Sequence, residues 1–441
     1  MRAKPLIDRL IDLAATPAAA IPPPARALAR CSLFDWMVVA RAGADEALSR
    51  IIRNFVADEG GHPVASVVGG AVRVPARAAA LANGTISHAL DYDDTHFAYL
   101  GHPSVAIMPA ALAVAEQHDL PAAQACDAFL LGAEATCRIG MALGRGHYDR
   151  GFHQTATAGA FGATVAAGRL LGLSPLQLRH ALSLVATRAS GLKSQFGSMG
   201  KPFNAGISAA NGVEAAALAA RGFISCDDGI GGVQGFIDTH SDDAVDPREP
   251  PPGRFVFEDV KYKLHACCHG THAMLNALAA ARQGDDLAPE RIARVELRTN
   301  PRWLRVCDIA APRTGLEVKF SYAFLAAMAL HGIDTAADRA YADSLCTDPA
   351  LIATAGRVAV TGDPQISDTA VVLTIILASG ARREYAHDLA APLPIAQLQA
   401  GLRSKARALL GDARAATLWS AVAALDTIAA RTLAAQLADG G

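Results

Sequence analysis

The sequence predicts a mainly α protein in which a large all-helical domain carries a smaller α+β insertion. Three observations support that reading. From about Ala44 to Phe223, apolar and small residues recur at helical spacing. Strand-like alternation is confined to the stretch between Arg291 and His387, beyond a proline-rich linker. After Pro392 the chain returns to alanine-rich helix. The boundaries that follow are a discontinuous helical domain, residues 1–252 with 393–441, and an α+β domain at residues 253–392.

Taken in order, the first predicted helix is Ala44–Ala57, and the next runs from Pro75, a residue suited to a first turn, through Leu90. Another follows Pro103 and a long one begins near Pro121. Then come Thr155–Leu171, Ser174–Gly191 with Ser174 as N-cap and Pro175 behind it, and Asn204–Arg221. These segments carry alanine and glycine at three- and four-residue spacing, which lets helix axes approach closely. Asp246–Gly253, DPREPPPG, reads as a linker. Beyond it, strands are predicted at Arg291–Arg298, Arg357–Thr361, Ala370–Leu377 and Arg382–His387, the last two joined by a hairpin at Ser379-Gly380. Helices are predicted between them at Thr271–Arg282 and Lys319–His331, and at the end at Ala396–Leu410 and Ala413–Leu437.

Composition narrows the function classes. With 51% hydrophobic and 19% charged residues, the chain can bury a sizeable core and is not a disordered scaffold. A formal net charge of -2 predicts neither a nucleic-acid partner nor attraction to a membrane surface. No apolar run at the N-terminus is long enough to span a bilayer, and no secretory signal is evident. Eight cysteines scattered without repeating spacing read as reduced thiols, so the expected location is cytoplasmic.

Four segments carry candidate chemistry. Asp91-Tyr92-Asp93-Asp94-Thr95-His96, followed by His102-Pro103-Ser104, joins two apolar helices and concentrates carboxylates and imidazoles on one connection. A histidine beside carboxylates can be held in one tautomer and move protons near neutral pH. The competing reading is helix capping by the aspartates. A metal is the sharper rival, although the spacing fits neither a calcium loop nor a zinc helix, and no metal is expected. Lys201 lies among glycines at the entrance to a helix, where free N–H groups and a full positive charge favour a carboxylate. His153 precedes a glycine- and alanine-rich helix. Lys263–His272 holds two adjacent cysteines and three histidines without finger spacing; Cys267 and Cys268 read as structural and His272 as a site candidate.

Together these segments resemble the MmgE/PrpD family, in LANGTISHALDYDDTH…GHPS, GFHQTATAGAFGATVAAGRLLGLSP, GSMGKPFNAG…NGVEAAALAARGF and KYKLHACCHGTHA, in that order. The similarity spans about Pro5 to Leu437. It implies a homodimer whose helical domain carries an α+β lid, with the active site between them and no cofactor. It also implies His102 as base or acid oriented by Asp91, His153 as the second proton-transfer group, and Lys201 as holder of the substrate carboxylate. Thr95, His272, Asn204 and Tyr322 complete the expected substrate-binding set. Two positions depart from the family pattern: Asn204 stands where many members have histidine, and Phe324 where a tyrosine is expected. The implied activity is a lyase acting on a small di- or tricarboxylic acid: a proton leaves the carbon next to a carboxylate and water is lost. An epimerase of the iminodisuccinate type is the alternative. A metal-dependent hydrolase and a non-catalytic binding protein are the remaining classes.

Overall fold

The computed structural model describes residues 4–247 and 249–438; Arg248, inside the expected linker, lies outside them. It is mainly α, 59% helix and 10% strand. Two compact units divide the chain, one comprising Met1–Tyr262 with Leu410–Gly441 and the other Lys263–Leu409.

The first unit is built on α1 (Leu6–Ala14), α2 (Pro23–Ala42), α3 (Ala47–Glu59), α4 (Ala76–Ser87), α5 (Pro103–Gln117), α6 (Ala122–Arg150), α7 (Gln154–Leu170), α8 (Pro175–Ala186) and α9 (Gly200–Ala220). A two-stranded ribbon, β1 (Ala65–Ser66) and β2 (Arg73–Val74), precedes α4. Helices α5 and α7 are apolar on all sides, and every residue of Pro103–Glu116 and Gln154–Gly168 is buried. Small residues set how close their neighbours come. A Cβ added to Gly206 of α9 would lie 2.3 Å from the Leu81 carbonyl oxygen of α4, and one on Gly162 of α7 would lie 2.4 Å from that of Gly132 in α6. Overpacking at such a crossing costs about 1–3 kcal/mol, so these contacts fix where α7 and α9 begin. On α2, Phe34 is fully buried, contributing about 1.5–3 kcal/mol, and it meets Trp419 of the helix Asp412–Ala423 edge-on at 5.0 Å.

Most predicted helices are present with ends shifted by a few residues. Ser174 caps α8 as expected: its hydroxyl accepts the Gln177 N–H while the Gln177 side chain accepts the Ser174 N–H. α1 and α2 were not anticipated, and the last expected helix, Ala413–Leu437, is two: Asp412–Ala423 and Ala430–Ala435. Two domain edges also differ from expectation. Residues 253–262 fall in the first unit, because Phe257 donates its N–H to Glu134 of α6 and Lys261 exchanges backbone hydrogen bonds with Thr95. The helix Ile395–Leu410 falls almost wholly in the second unit, where Gly401 lies against Leu264.

The second unit holds all four predicted strands: β3 (Ile292–Thr299), β4 (Val358–Gly362), β5 (Ala370–Leu377) and β6 (Arg382–Asp388), in the order β4-β3-β5-β6. β3 and β4 are parallel, and the other pairings are antiparallel. The β5–β6 turn puts Gly380 at φ +84°, a left-handed backbone that glycine adopts without strain. Val371, Leu373 and Ile375 alternate to the buried face of β5, and the helix His272–Gly284 packs there. Among the described residues no helix is long and apolar enough to cross a membrane.

Candidate functional site

Three helix starts in the first unit each carry a candidate residue. His102 is the residue before α5, His153 the residue before α7, and Lys201 sits in the first turn of α9. The end of α4 adds His88. The close crossings of α4, α7 and α9 bring these ends together. His102 donates its backbone N–H to the Thr155 hydroxyl of α7 at 3.1 Å, and the His88 ring lies 4.6 Å from that of His102 and 6.3 Å from that of His153. The connection from α4 to α5 turns back at Asp91, whose backbone is left-handed at φ +49°. Aspartate tolerates that conformation better than most residues, because its short side chain can bond locally.

The reversal sends successive carboxylates in different directions. Asp93 is fully buried and accepts two imidazole N–H bonds, from His88 Nδ1 at 2.8 Å and from His102 Nδ1 at 2.9 Å. Burial alone would raise its carboxyl, but His102 and His88 hold it well below the usual carboxylate range. An ionised carboxylate only accepts, so both Nδ1 atoms carry protons and the His102 lone pair resides on Nε2. Burial keeps His102 below its ordinary histidine value despite Asp93. Asp94 accepts from the Ser104 N–H at 3.1 Å, the Ser104 hydroxyl at 2.6 Å and the Ser32 hydroxyl at 2.8 Å, while burial close to Asp93 and Asp35 pushes it up to about 7. Its role is to anchor the start of α5.

Asp91 is the exposed member, its side chain 41% accessible, and it bridges the other two groups. One carboxylate oxygen is 2.5 Å from Lys201 Nζ and the other 3.5 Å from His102 Nε2. The expectation that Asp91 orients His102 therefore needs correction. Asp93 holds the ring at Nδ1, whereas Asp91 faces its Nε2 edge and neutralises Lys201. Lys201 Nζ also lies 5.2 Å over the Phe196 ring, which meets the His153 ring edge-on at 5.0 Å. His153 is buried. Burial, then the positive charge of Lys201 and the neighbouring His88 and His102, hold it well below the ordinary histidine value.

The structure places the other expected residues less centrally. Thr95 is buried with its backbone paired to Lys261. Asn204, expected to contact substrate, is 4% exposed and turned inward, donating to His153 Nδ1 at 3.1 Å and to the Leu192 carbonyl at 3.2 Å. Tyr322 is fully buried in the second unit and donates its hydroxyl to the Gly270 carbonyl at 2.8 Å, so it serves that unit's packing. His272, also in the second unit, is buried among His265 and His269 with Nε2 3.4 Å from the Cys267 carbonyl. Sequence reasoning passed over His88 and named Asp93 only as one carboxylate of the cluster, without a role of its own. Their only signal was proximity to Asp91 in the motif, which does not say which carboxylate turns inward.

Four of these residues could hold a cation: His88, Asp91, Asp93 and His102 offer ligand atoms within 4.8 Å of one another. In the structure the two carboxylates have competing claims. Asp93 already accepts two N–H bonds and Asp91 is paired with Lys201. A metal held by Asp91 would have to displace the ammonium, whereas the Nε2 atoms of His88 and His102 could reach it with their Nδ1 protons still on Asp93.

The arrangement thus offers His102 with its lone pair on Nε2, a neutral His153 and an ammonium held by Asp91. The N-terminal domain model of the MmgE/PrpD family matches residues 13–248, and its C-terminal domain model matches residues 265–427. The chain belongs to the MmgE/PrpD family. Curated relatives include the cis-aconitate decarboxylase-like protein oryM of Aspergillus oryzae, 28% identical over 279 residues, which are 59% of this chain and 57% of that protein. Cis-aconitate decarboxylase of Homo sapiens is 33% identical over 156 residues, 34% of this chain and 32% of its own length. The Aspergillus terreus enzyme of the same name is 31% identical over 234 residues, 48% and 46% of the two chains. The chain therefore spans about half or less of the length of these relatives. Both MmgE/PrpD matches stop short of residues 249–264, the stretch in which the boundary between the two structural units falls.

Proposed function

We propose that this MmgE/PrpD member is a cofactor-independent lyase of a small di- or tricarboxylic acid, removing a proton next to a carboxylate and expelling water. The observation that carries the proposal is the meeting of Lys201, His102 and His153 at three helix starts around Asp91 and Asp93. Lys201 and the adjacent N–H groups of α9 would take the substrate carboxylate, which exchanges with Asp91 for the ammonium. His102 Nε2 would abstract the α-proton and become N–H, with the new imidazolium stabilised by Asp93 at Nδ1. The C–H electron pair moves into the carboxylate-bearing carbon, then forms the C=C bond as the β-hydroxyl departs. His153 would donate a hydrogen bond to the departing hydroxyl, and the proton held on His102 Nε2 turns that hydroxyl into water, which returns both imidazoles to their starting states.

A second reading is decarboxylation, favoured by the names of the relatives. There the C–CO2 bond supplies the electron pair and an imidazole N–H protonates the carbon. Epimerisation, in which both imidazoles exchange protons at one carbon, is favoured by Phe324, which lacks the hydroxyl expected at its position.

One experiment separates the three. The protein is incubated in deuterated water with a panel of hydroxylated and unsaturated di- and tricarboxylic acids, cis-aconitate included, and followed by NMR. Alkene formation with water loss supports the lyase, carbon dioxide release supports decarboxylation, and label uptake with an unchanged skeleton supports epimerisation. The His102→Gln and Lys201→Met proteins should lose the reaction. Turnover at the parent rate in both would end the proposal.

A further inference from the structure

We propose that Asn204 is a positioning residue that fixes the tautomer of His153, making it a hydrogen-bond donor through Nε2–H. The inference rests on the proton-transfer reading above and assigns the two imidazoles their opposite duties.

The hydrogen-bond directions follow from what each atom can do. The Leu192 carbonyl oxygen only accepts, so the atom of Asn204 that faces it must be the amide nitrogen. The same nitrogen reaches His153 Nδ1 at 3.1 Å, which uses the second amide hydrogen. Nδ1 must then accept, and the ring proton of neutral His153 is left on Nε2. Leu192 cannot drift away from this arrangement. It is paired with Phe152, flanked by the bonds His153 N–H to Gly191 O at 2.9 Å and Lys193 N–H to Gly151 O at 2.8 Å. Gly191 has φ +154°, and a Cβ there would lie 3.4 Å from the Asn204 amide carbon and 2.4 Å from Ala156 Cβ. The amide is therefore clamped between backbone and ring.

His102 is fixed the other way round, with Nδ1–H on Asp93 and the lone pair on Nε2. One imidazole is thus prepared to accept a proton and the other, kept neutral, to donate a hydrogen bond. The groups acting on His153 are Lys201 from α9, His88 from the end of α4, His102 from the start of α5 and Asp91 from the connection between them. Three of these disfavour a cation at His153. Asn204 adds a fourth obstacle, because a protonated ring would set an Nδ1–H against an amide donor.

The test reads the tautomer first, without substrate. Protein labelled with nitrogen-15 histidine is examined by long-range proton–nitrogen correlation at neutral pH, with His153 assigned by its loss in His153→Gln. A pattern with Nε2 protonated and Nδ1 bare is expected; Nδ1 protonated, or an even mixture, overturns the inference. In Asn204→Asp the carboxylate should draw the proton to Nδ1. Turnover should then fall roughly 10²–10⁴-fold at nearly unchanged KM, with partial recovery in Asn204→Ser, whose hydroxyl can still donate. If Asn204→Asp fails to fold, the parent spectrum and the serine variant still decide. Full turnover with a flipped tautomer removes the donor role. An inactive parent protein with the expected tautomer removes the proposed reaction and leaves the Asn204 contact standing.

Discussion

Each unit has its own group of buried histidines, and the two groups differ in what their ring nitrogens meet. In the first unit, His88 and His102 share the Asp93 carboxylate and Asp91 faces Lys201. In the second, His265 Nδ1 bonds the Thr335 hydroxyl at 2.7 Å and its Nε2 the Asn276 carbonyl at 3.1 Å, while the Asn276 amide donates to His387 Nε2 at 3.1 Å. Burial disfavours the imidazolium in both places. Only the first offers a buried counter-charge that can stabilise a proton taken up during a reaction. In the second, His265 and His387 meet neutral hydroxyl and amide partners, an arrangement suited to holding a helix on a sheet. Burial of histidine is thus no guide to function by itself; the partner decides.

The largest expected effect comes from making the first group resemble the second. Asp93→Asn removes the buried charge and puts an amide between two imidazoles. By analogy with other buried aspartate–histidine pairs, turnover should fall on the order of 10⁴-fold. A fall of less than tenfold, in protein whose circular dichroism is unchanged, would show that the shared carboxylate is structural. Lys201→Met comes next, at about 10²–10³-fold, the usual loss when one preorganised charge donor is removed. Because Asp91 is partly exposed and loses its partner in that variant, folding should change little, as is typical of surface ion pairs. A drop of several degrees in Tm would move Lys201 from binding to stability.

The pH dependence of folding brings both groups together. His96 and His147 are depressed to about 4 by burial, and His153 and His272 lie well below their ordinary value. Each binds a proton more readily when unfolded, so each contributes stability that is complete above about pH 6.5 and lost as pH falls towards the folded value. Asp94, raised to about 7, acts in the opposite sense, weakening the fold as pH rises from about 4 towards 7. The histidines outnumber it, and Tm should fall on going from neutral pH to about pH 5. A Tm that held steady or rose would mean the buried imidazoles are hydrated or already charged.

Much of this fold can be read in the sequence wherever the determinant is local. The Ser174 cap with its Gln177 partner, the alternation of β5 and the Ser379-Gly380 turn each act within a few residues, and all three are present as expected. The candidate site is legible by residue type but not by pairing. Asp91, Asp93 and Asp94 are indistinguishable in the string DYDD, yet one faces a lysine, one two histidines and one two serines. That sorting depends on the left-handed turn at Asp91 and on where α5, α7 and α9 start in space. The inward turn of Asn204 is equally non-local, since it needs the Leu192 carbonyl from a separate loop. Tyr322 was expected at the site on resemblance alone; its hydroxyl is used by Gly270, a partner no local pattern announces.

The smallest expected effect tests whether the second histidine group is only structural. Asn276→Leu deletes the amide that links His265, in the loop before the helix His272–Gly284, to His387 on β6. Two ring nitrogens would lose their partner, and because the site is only partly buried, water would compensate for some of the loss. The cost should be about 1–2 kcal/mol, a few degrees in Tm. Asn276→Asp sharpens the comparison, since it places a carboxylate between two imidazoles, as Asp93 is placed in the first unit. That substitution should raise the titration of His265 and His387 and shift the loss of stability on acidification to lower pH. If both variants melt like the parent at every pH, the chain of neutral partners contributes nothing to folding. The contrast between a charged and a neutral histidine group would then have to rest on the first unit alone.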